Sequence, residues 1–142
     1  MKVSELMSRT VISVPPEATA SALSRLLSRH HIGAAPVIDG RGRLRGIVTD
    51  RDIVCRCVAA EEMPATTRVR DIMTRSVVTV GEDTDVREAA RLMSDGRVRR
   101  LPVLRGDVLV GMLSIGDLSR VRICDAEVSR ALSEISAKTG RA

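Results

Sequence analysis

The first half of this 142-residue chain is written a second time, with changes, in its second half. At an offset of 66 residues, Glu5 aligns with Asp71, Met7 with Met73, Arg9 with Arg75, Val11 with Val77, Val14 with Val80, Leu26 with Leu92, Pro36 with Pro102 and Val37 with Val103. One extra residue near positions 41–43 shifts the register, after which Gly46 aligns with Gly111 and Asp52 with Asp117. A repeat constrains the fold before any local propensity does, and two units suit a paired module better than a solenoid. A unit of about sixty residues is marginal alone, so the halves are expected to fold against each other.

Each copy contains a short polar signature. Gly46-Ile47-Val48-Thr49-Asp50-Arg51-Asp52 recurs as Gly111-Met112-Leu113-Ser114-Ile115-Gly116-Asp117. A glycine leads an apolar pair, a hydroxyl follows, and an aspartate stands three residues later, where a buried strand runs into a helix. There a carboxylate can accept hydrogen bonds from a ribose diol, while the hydroxyl and nearby N–H groups donate to phosphate, favoured by the positive helix end. The same spacing also suits an Asp capping its own helix. Two occurrences in register weigh toward binding.

Around the signature the elements repeat. Residues 4–7 and 70–73 read as single helical turns, with Ser4 as an N-cap, and the β-branched runs 11–14 and 77–80 as brief extended segments. Leu23, Leu26 and Leu27, and Val86, Ala89, Ala90 and Met93, fall at helical spacing, with Arg25, Arg29, Arg87 and Arg91 toward solvent. Thr84 or Asp83 is positioned to cap the second of these helices and Gly96 to stop it. Strands at 35–38 and 101–104 turn through Gly40-Arg41-Gly42 and Arg105-Gly106-Asp107 into antiparallel strands at 44–49 and 108–114, and closing helices follow at 51–60 and 116–122. The expected order is strand, helix, strand, strand, helix, an α/β (α+β) class, in repeats 1–60 and 69–122 joined by a linker at 61–68. A tail at 123–142 has Val128, Leu132 and Ile135 on one helical stripe and no counterpart in the first copy.

Composition narrows the function. No apolar run reaches the roughly 18 residues of a membrane span, and the first residues lack a secretory leader, which implies a cytoplasmic protein. Cys55, Cys57 and Cys124 match no zinc spacing and read as small buried hydrophobes in a reducing compartment. Adjacent His30 and His31 do not suit one metal from a helix, so no metal is expected. The net charge of +5 invites nucleic acid, but all but two of the 23 basic residues are scattered arginines, and Phe, Tyr and Trp are absent. Without aromatic stacking platforms, nucleic-acid binding is disfavoured. No nucleophile elbow, paired acid and base, or Gly-rich phosphate loop marks an enzyme.

The order of elements, the strands Ala35-Pro36-Val37 and Leu101-Pro102-Val103, and the paired Gly-x-x-Thr/Ser-x-x-Asp signatures resemble cystathionine β-synthase (CBS) domains. Two in tandem resemble a Bateman module over residues 1 to about 122, similar to small stand-alone bacterial proteins including the hypoxic response type. The resemblance implies sheets packed about a pseudo-two-fold axis, a flat homodimer, no catalysis, and clefts for AMP, ADP or ATP, or for S-adenosylmethionine, whose occupancy is transmitted to an effector in another chain. Carried over, one cleft takes Thr49 and Asp52, with Val77, Val78 and Val80 near the base and Arg99 and Arg100 on phosphate. The other takes Ser114 and Asp117 with Val11, Ile12 and Val14, and its counterparts of the arginine pair are Gly33 and Ala34. On this grouping the Asp52 cleft prefers phosphorylated nucleotides and the Asp117 cleft is weaker or takes a less anionic ligand, because an uncharged pair lacks charge-assisted bonds. The competing expectation is a ligand-free dimerisation scaffold.

Overall fold

A computed structural model describes residues 1–121 and 125–139, a mixed α+β chain that divides into two compact units. One is Ile12–Val77; the other joins Met1–Val11 to the chain from Val78 onward. The unit boundaries thus cut across the sequence repeats, because the lead-in of each copy is built into the unit that carries the other copy's hairpin.

In the unit Ile12–Val77, helix α1 (Ala20–His30) buries Ala20, Leu23 and Leu27, and each leucine contributes about 1.5–3 kcal/mol of burial. Thr19 caps it, its Oγ1 accepting the Ala22 N–H at 3.1 Å. His31 ends it in a left-handed conformation, φ 54°. Strands β1 (Ala34–Ile38) and β2 (Leu44–Thr49) pair antiparallel, with the register Ala34 to Thr49 and a bulge after Val37. Val14 extends this sheet by one parallel bridge to Val37. Helix α2 (Asp50–Ile53) runs into a π-helical turn, Val54–Val58, and the short helix α3 (Val69–Ile72) packs Val69 and Ile72 into the same core.

The second unit repeats the plan. Val80–Gly81 (β3) pairs parallel with β4 (Arg100–Arg105), which pairs antiparallel with β5 (Val108–Ser114). Helix α4 (Val86–Gly96) buries Val86, Ala89, Ala90 and Met93 and ends with Arg97 at φ 53°. Helix α5 (Ile115–Ser119) follows β5, and α6 (Asp125–Thr139) lies against α4, with Val128, Ala131 and Ile135 buried. A 3₁₀ turn, Val3–Glu5, stands where α3 stands in the first unit.

The signature glycines explain how each lead-in docks. Thr74 exchanges backbone hydrogen bonds with Ile47 at 2.9 and 2.8 Å, and Ser8 does so with Met112, both at 2.9 Å. A Cβ on Gly46 would come within 2.6 Å of the Thr74 carbonyl oxygen, and one on Gly111 within 2.8 Å of that of Ser8. Only glycine admits backbone so close.

Several local expectations are corrected. Lys2, not Ser4, precedes the first turn, and its backbone N–H donates to Glu5 at 2.6 Å. Asp85, rather than Thr84 or Asp83, caps α4, because its carboxylate reaches the Arg87 N–H at 2.8 Å. The paired segment near 77–80 is Val80–Gly81, set by the partner strand rather than by the run of valines. The closing helices begin one residue early, at the capped position, and are shorter than expected: α2 widens into the π turn and α5 stops at Ser119. Leu132 is 47% exposed, since α6 turns its Val128, Ala131, Ile135 face to α4. Cys57 is buried, but Cys55, two residues away on the helix, is exposed. Cys124 lies outside the described residues.

Candidate functional site

Each signature forms a capping box at a strand-to-helix junction. Thr49 ends β2 and caps α2: its Oγ1 accepts the Asp52 N–H at 3.0 Å, and Asp52 Oδ2 accepts the Thr49 N–H at 2.9 Å. Ser114 and Asp117 reproduce this, with Ser114 Oγ accepting the Asp117 N–H at 3.0 Å and Asp117 Oδ2 accepting the Ser114 N–H at 2.9 Å. The two aspartate side chains are 13% and 17% exposed, so both lie at the surface's edge rather than in solvent.

The remaining carboxylate oxygen faces an arginine in both. Asp52 Oδ1 is 3.8 Å from Arg56 Nε, and Asp117 Oδ1 is bonded by Arg120. Both arginine side chains are exposed, although Arg56 Nη1 also donates to the Ile72 and Met73 carbonyls at 3.0 and 3.2 Å, and an exposed ion pair of this kind contributes only about 0–1 kcal/mol. A diol that donates to Oδ1 therefore displaces little. Neither arginine stood out in the sequence, although each follows its aspartate by one helical turn, a signal present in both copies.

Neighbouring backbone fixes what stands beside each box. Arg100 pairs with Ser114 in the sheet, and the Arg99 carbonyl accepts the Ile115 N–H at 2.8 Å. In the first unit Ala34 pairs with Thr49, and the Gly33 carbonyl accepts the Asp50 N–H at 2.9 Å. The sequence grouping put Arg99 and Arg100 with Asp52; within their own unit both are exposed and Arg100 pairs with Ser114.

Val78 and Val80 belong to that same unit, with Val80 buried in β3 and Val78 against Gly96, where a Cβ would lie 3.0 Å away. Val11 is half-buried in this unit too. Ile12, Val14 and Val77 belong to the unit of Thr49 and Asp52, along with Gly33 and Ala34. Val14 is buried and bonded to the Pro36 carbonyl at 3.1 Å; Ile12 and Val77 are half-buried.

Asp50 drew no attention in the sequence. Its carboxylate lies over Gly33, where a Cβ would approach Oδ2 to 3.1 Å, and Oδ1 accepts the Arg51 N–H at 2.8 Å. Only the three-dimensional pairing of residues 33 and 50 makes the relation visible.

These duplicated boxes agree with the comparisons. The sequence model of the CBS domain matches residues 3–58 and 69–123, and the chain therefore belongs to the CBS-domain family, of which it carries two copies. It is 32% identical over 134 residues to the CBS domain-containing protein YhcV of Bacillus subtilis, covering 94% of each chain. It is also 32% identical over 116 residues to hypoxic response protein 1 of Mycobacterium tuberculosis, covering 82% of this chain and 81% of the relative. Among solved structures, the CBS domain pair of protein MJ0100, in complex with 5′-methylthioadenosine and S-adenosylmethionine, superposes with TM-score 0.73 at 28% identity, covering 86% of this chain and 95% of that one. CBSX2 in complex with AMP superposes with TM-score 0.74 at 27% identity, covering 86% and 96%. Among the described residues no helix is long and apolar enough to cross a membrane.

Proposed function

We propose that this chain is a non-catalytic regulatory module that binds adenosyl-containing small molecules at its two capping-box junctions and transmits their occupancy to a partner protein. The observation that carries this reading is the duplicated box itself. In each unit one carboxylate oxygen is committed to backbone and the other faces an arginine in an exposed pair, which leaves it open to a ribose diol. Structural neighbours bound to AMP and to S-adenosylmethionine support the ligand class.

Thr49 and Asp52 hold one ribose, and Ser114 and Asp117 the other. The half-buried Val11, Ile12, Val77 and Val78 supply apolar surface for adenine in a chain without aromatic rings, and the buried Val14 and Val80 contribute backbone. Arg99 and Arg100 stand beside Ser114, so phosphate of AMP, ADP or ATP belongs at the Asp117 junction, through charge-assisted bonds. A homodimer in the cytoplasm, read out by another chain, completes the proposal. For such a module to regulate, its ligand must bind two conformations with different affinity.

A ligand-free scaffold is the second reading, favoured by the fact that both boxes close without a guest. Thermal melting against AMP, ADP, ATP and S-adenosylmethionine separates the two. A ligand at 100 times its dissociation constant stabilises by about 2.7 kcal/mol. A flat response to every adenosyl compound selects the scaffold.

A further inference from the structure

The two junctions share a frame and differ in charge. Beside Ser114 and Asp117 stand Arg99, Arg100, Ile115 and Gly116, which with the Arg120 bonded to Asp117 make three guanidiniums against one carboxylate. Beside Thr49 the corresponding residues are Gly33, Ala34, Asp50 and Arg51, which with Asp52 and the Arg56 that faces it make two carboxylates against two guanidiniums. Where the second unit roots an arginine, at 99, the first has glycine, and the Asp50 carboxylate lies over that glycine's Cα, within 3.1 Å of the place a side chain would begin. Asp50 is exposed, and its Oδ1 is held by the Arg51 N–H. The swap is coupled, because a side chain at 33 would crowd the carboxylate and the absence of one gives it room.

Resting on the reading that each junction binds an adenosyl compound, we infer that Asp50, seated over Gly33, makes the Asp52 junction selective for adenosyl ligands whose 5′ substituent carries positive charge. A phosphate at that end meets a carboxylate where the other junction offers arginine, and like charges in such proximity repel. A sulfonium or ammonium meets a partner. The two units thus read the same nucleoside with opposite preference for what is attached to it, and a single chain responds to two chemically distinct pools.

The experiment uses the full chain and three ligands on one adenosine frame: AMP, dianionic; 5′-methylthioadenosine, neutral; and S-adenosylmethionine, cationic at sulfur. Calorimetric titration of the Asp117→Ala variant isolates the Asp52 junction. Affinity is expected to rise from AMP through methylthioadenosine to S-adenosylmethionine, spanning at least about tenfold. Asp50→Asn, isosteric and at an exposed position, is expected to compress that span about five- to tenfold, the scale of one lost charge contact near a protein surface. Added salt compresses it in the same direction.

If the Asp52 junction binds AMP best, or if Asp50→Asn weakens all three ligands by one common factor, the selectivity assignment is overturned while adenosyl binding stands. If no ligand binds wild type or any variant, the proposed function falls and the inference falls with it. Asp50→Ile, which installs the residue found at 115, repeats the test with the carboxylate removed altogether and is expected to compress the span as Asp50→Asn does.

Discussion

The junction after β2 and the junction after β5 share the same capping-box hydrogen bonds and differ in charge, the first balanced and the second positive. Both use a hydroxyl and an aspartate three residues apart to close a capping box at distances that agree within 0.1 Å. Only the residues flanking the box differ: glycine, alanine and Asp50 on one side, two arginines and Ile115 on the other. The frame is what duplication preserved, because helix start, strand end and lead-in all depend on it.

The largest effect tests the sameness. Gly46→Ala and Gly111→Ala each drive a methyl into a carbonyl oxygen of the docked lead-in, at 2.6 and 2.8 Å, and into the sulfur of Met73 or Met7. Either the backbone pair at 47 and 74, or at 112 and 8, separates, or the sheet shifts. Overpacking of this kind costs about 1–3 kcal/mol, and these contacts to backbone place both variants at the upper end. Denaturant midpoints should fall by similar amounts in the two variants. A loss confined to one would mean that the lead-ins do not dock alike.

This docking also marks where sequence reasoning stopped. The repeat, the amphipathic helices, the hairpins and the signature were all legible, because each is a local pattern with its own period or turn chemistry. The glycine that opens the signature was legible as a motif but not as a contact. Its partner lies 28 residues onward in one case and 103 back in the other, and nothing local links them. Likewise Asp85 took the cap from Thr84 and Asp83 because helix entry is fixed by the Lys2–Asp85 bridge, a tertiary contact. Arg99 and Arg100 were legible as a basic pair, whereas the place of Arg100 next to Ser114 follows from strand register, which no local pattern shows.

The next effect tests the difference. Arg99→Ala with Arg100→Ala should weaken AMP at the Asp117 junction by more than tenfold, since hydrogen bonds to charged groups contribute about 1.5–3 kcal/mol each. The Asp52-dependent binding event should keep its affinity. Equal losses at both would show that the arginine pair serves the two junctions together and does not distinguish them.

A smaller effect returns to the shared frame. Asp52→Ala and Asp117→Ala each remove one half of a capping box, a loss of about 1 kcal/mol without ligand. Thermal melts of the apo proteins should therefore show two nearly equal, modest shifts, while the ligand-dependent shifts diverge by ligand. A shift of several kcal/mol in one variant alone would mean that its aspartate holds more than its own helix.

The smallest effect lies away from the junctions, at the hairpin turns, where the two units also solve one problem differently. Glu82 is held below the ordinary carboxylate range chiefly by its paired bonds from Arg105, at 2.5 and 3.0 Å, against a smaller opposing cost of burial. For Asp39 burial is the largest single influence and acts upward. It is outweighed by the N–H groups of Arg41 and Arg43, at 2.9 and 3.1 Å, and by the Arg43 guanidinium, so Asp39 too is lowered. A carboxylate depressed in the folded state adds stability above its unfolded value, about 4 in free peptides, and that share disappears as pH falls through the folded value. Both turns should therefore loosen in acid, not in base. Carboxyl NMR titration distinguishes the mechanisms: Arg105→Ala should return Glu82 to the ordinary range, whereas Arg43→Ala should leave Asp39 still depressed, because its own turn's backbone continues to bind it.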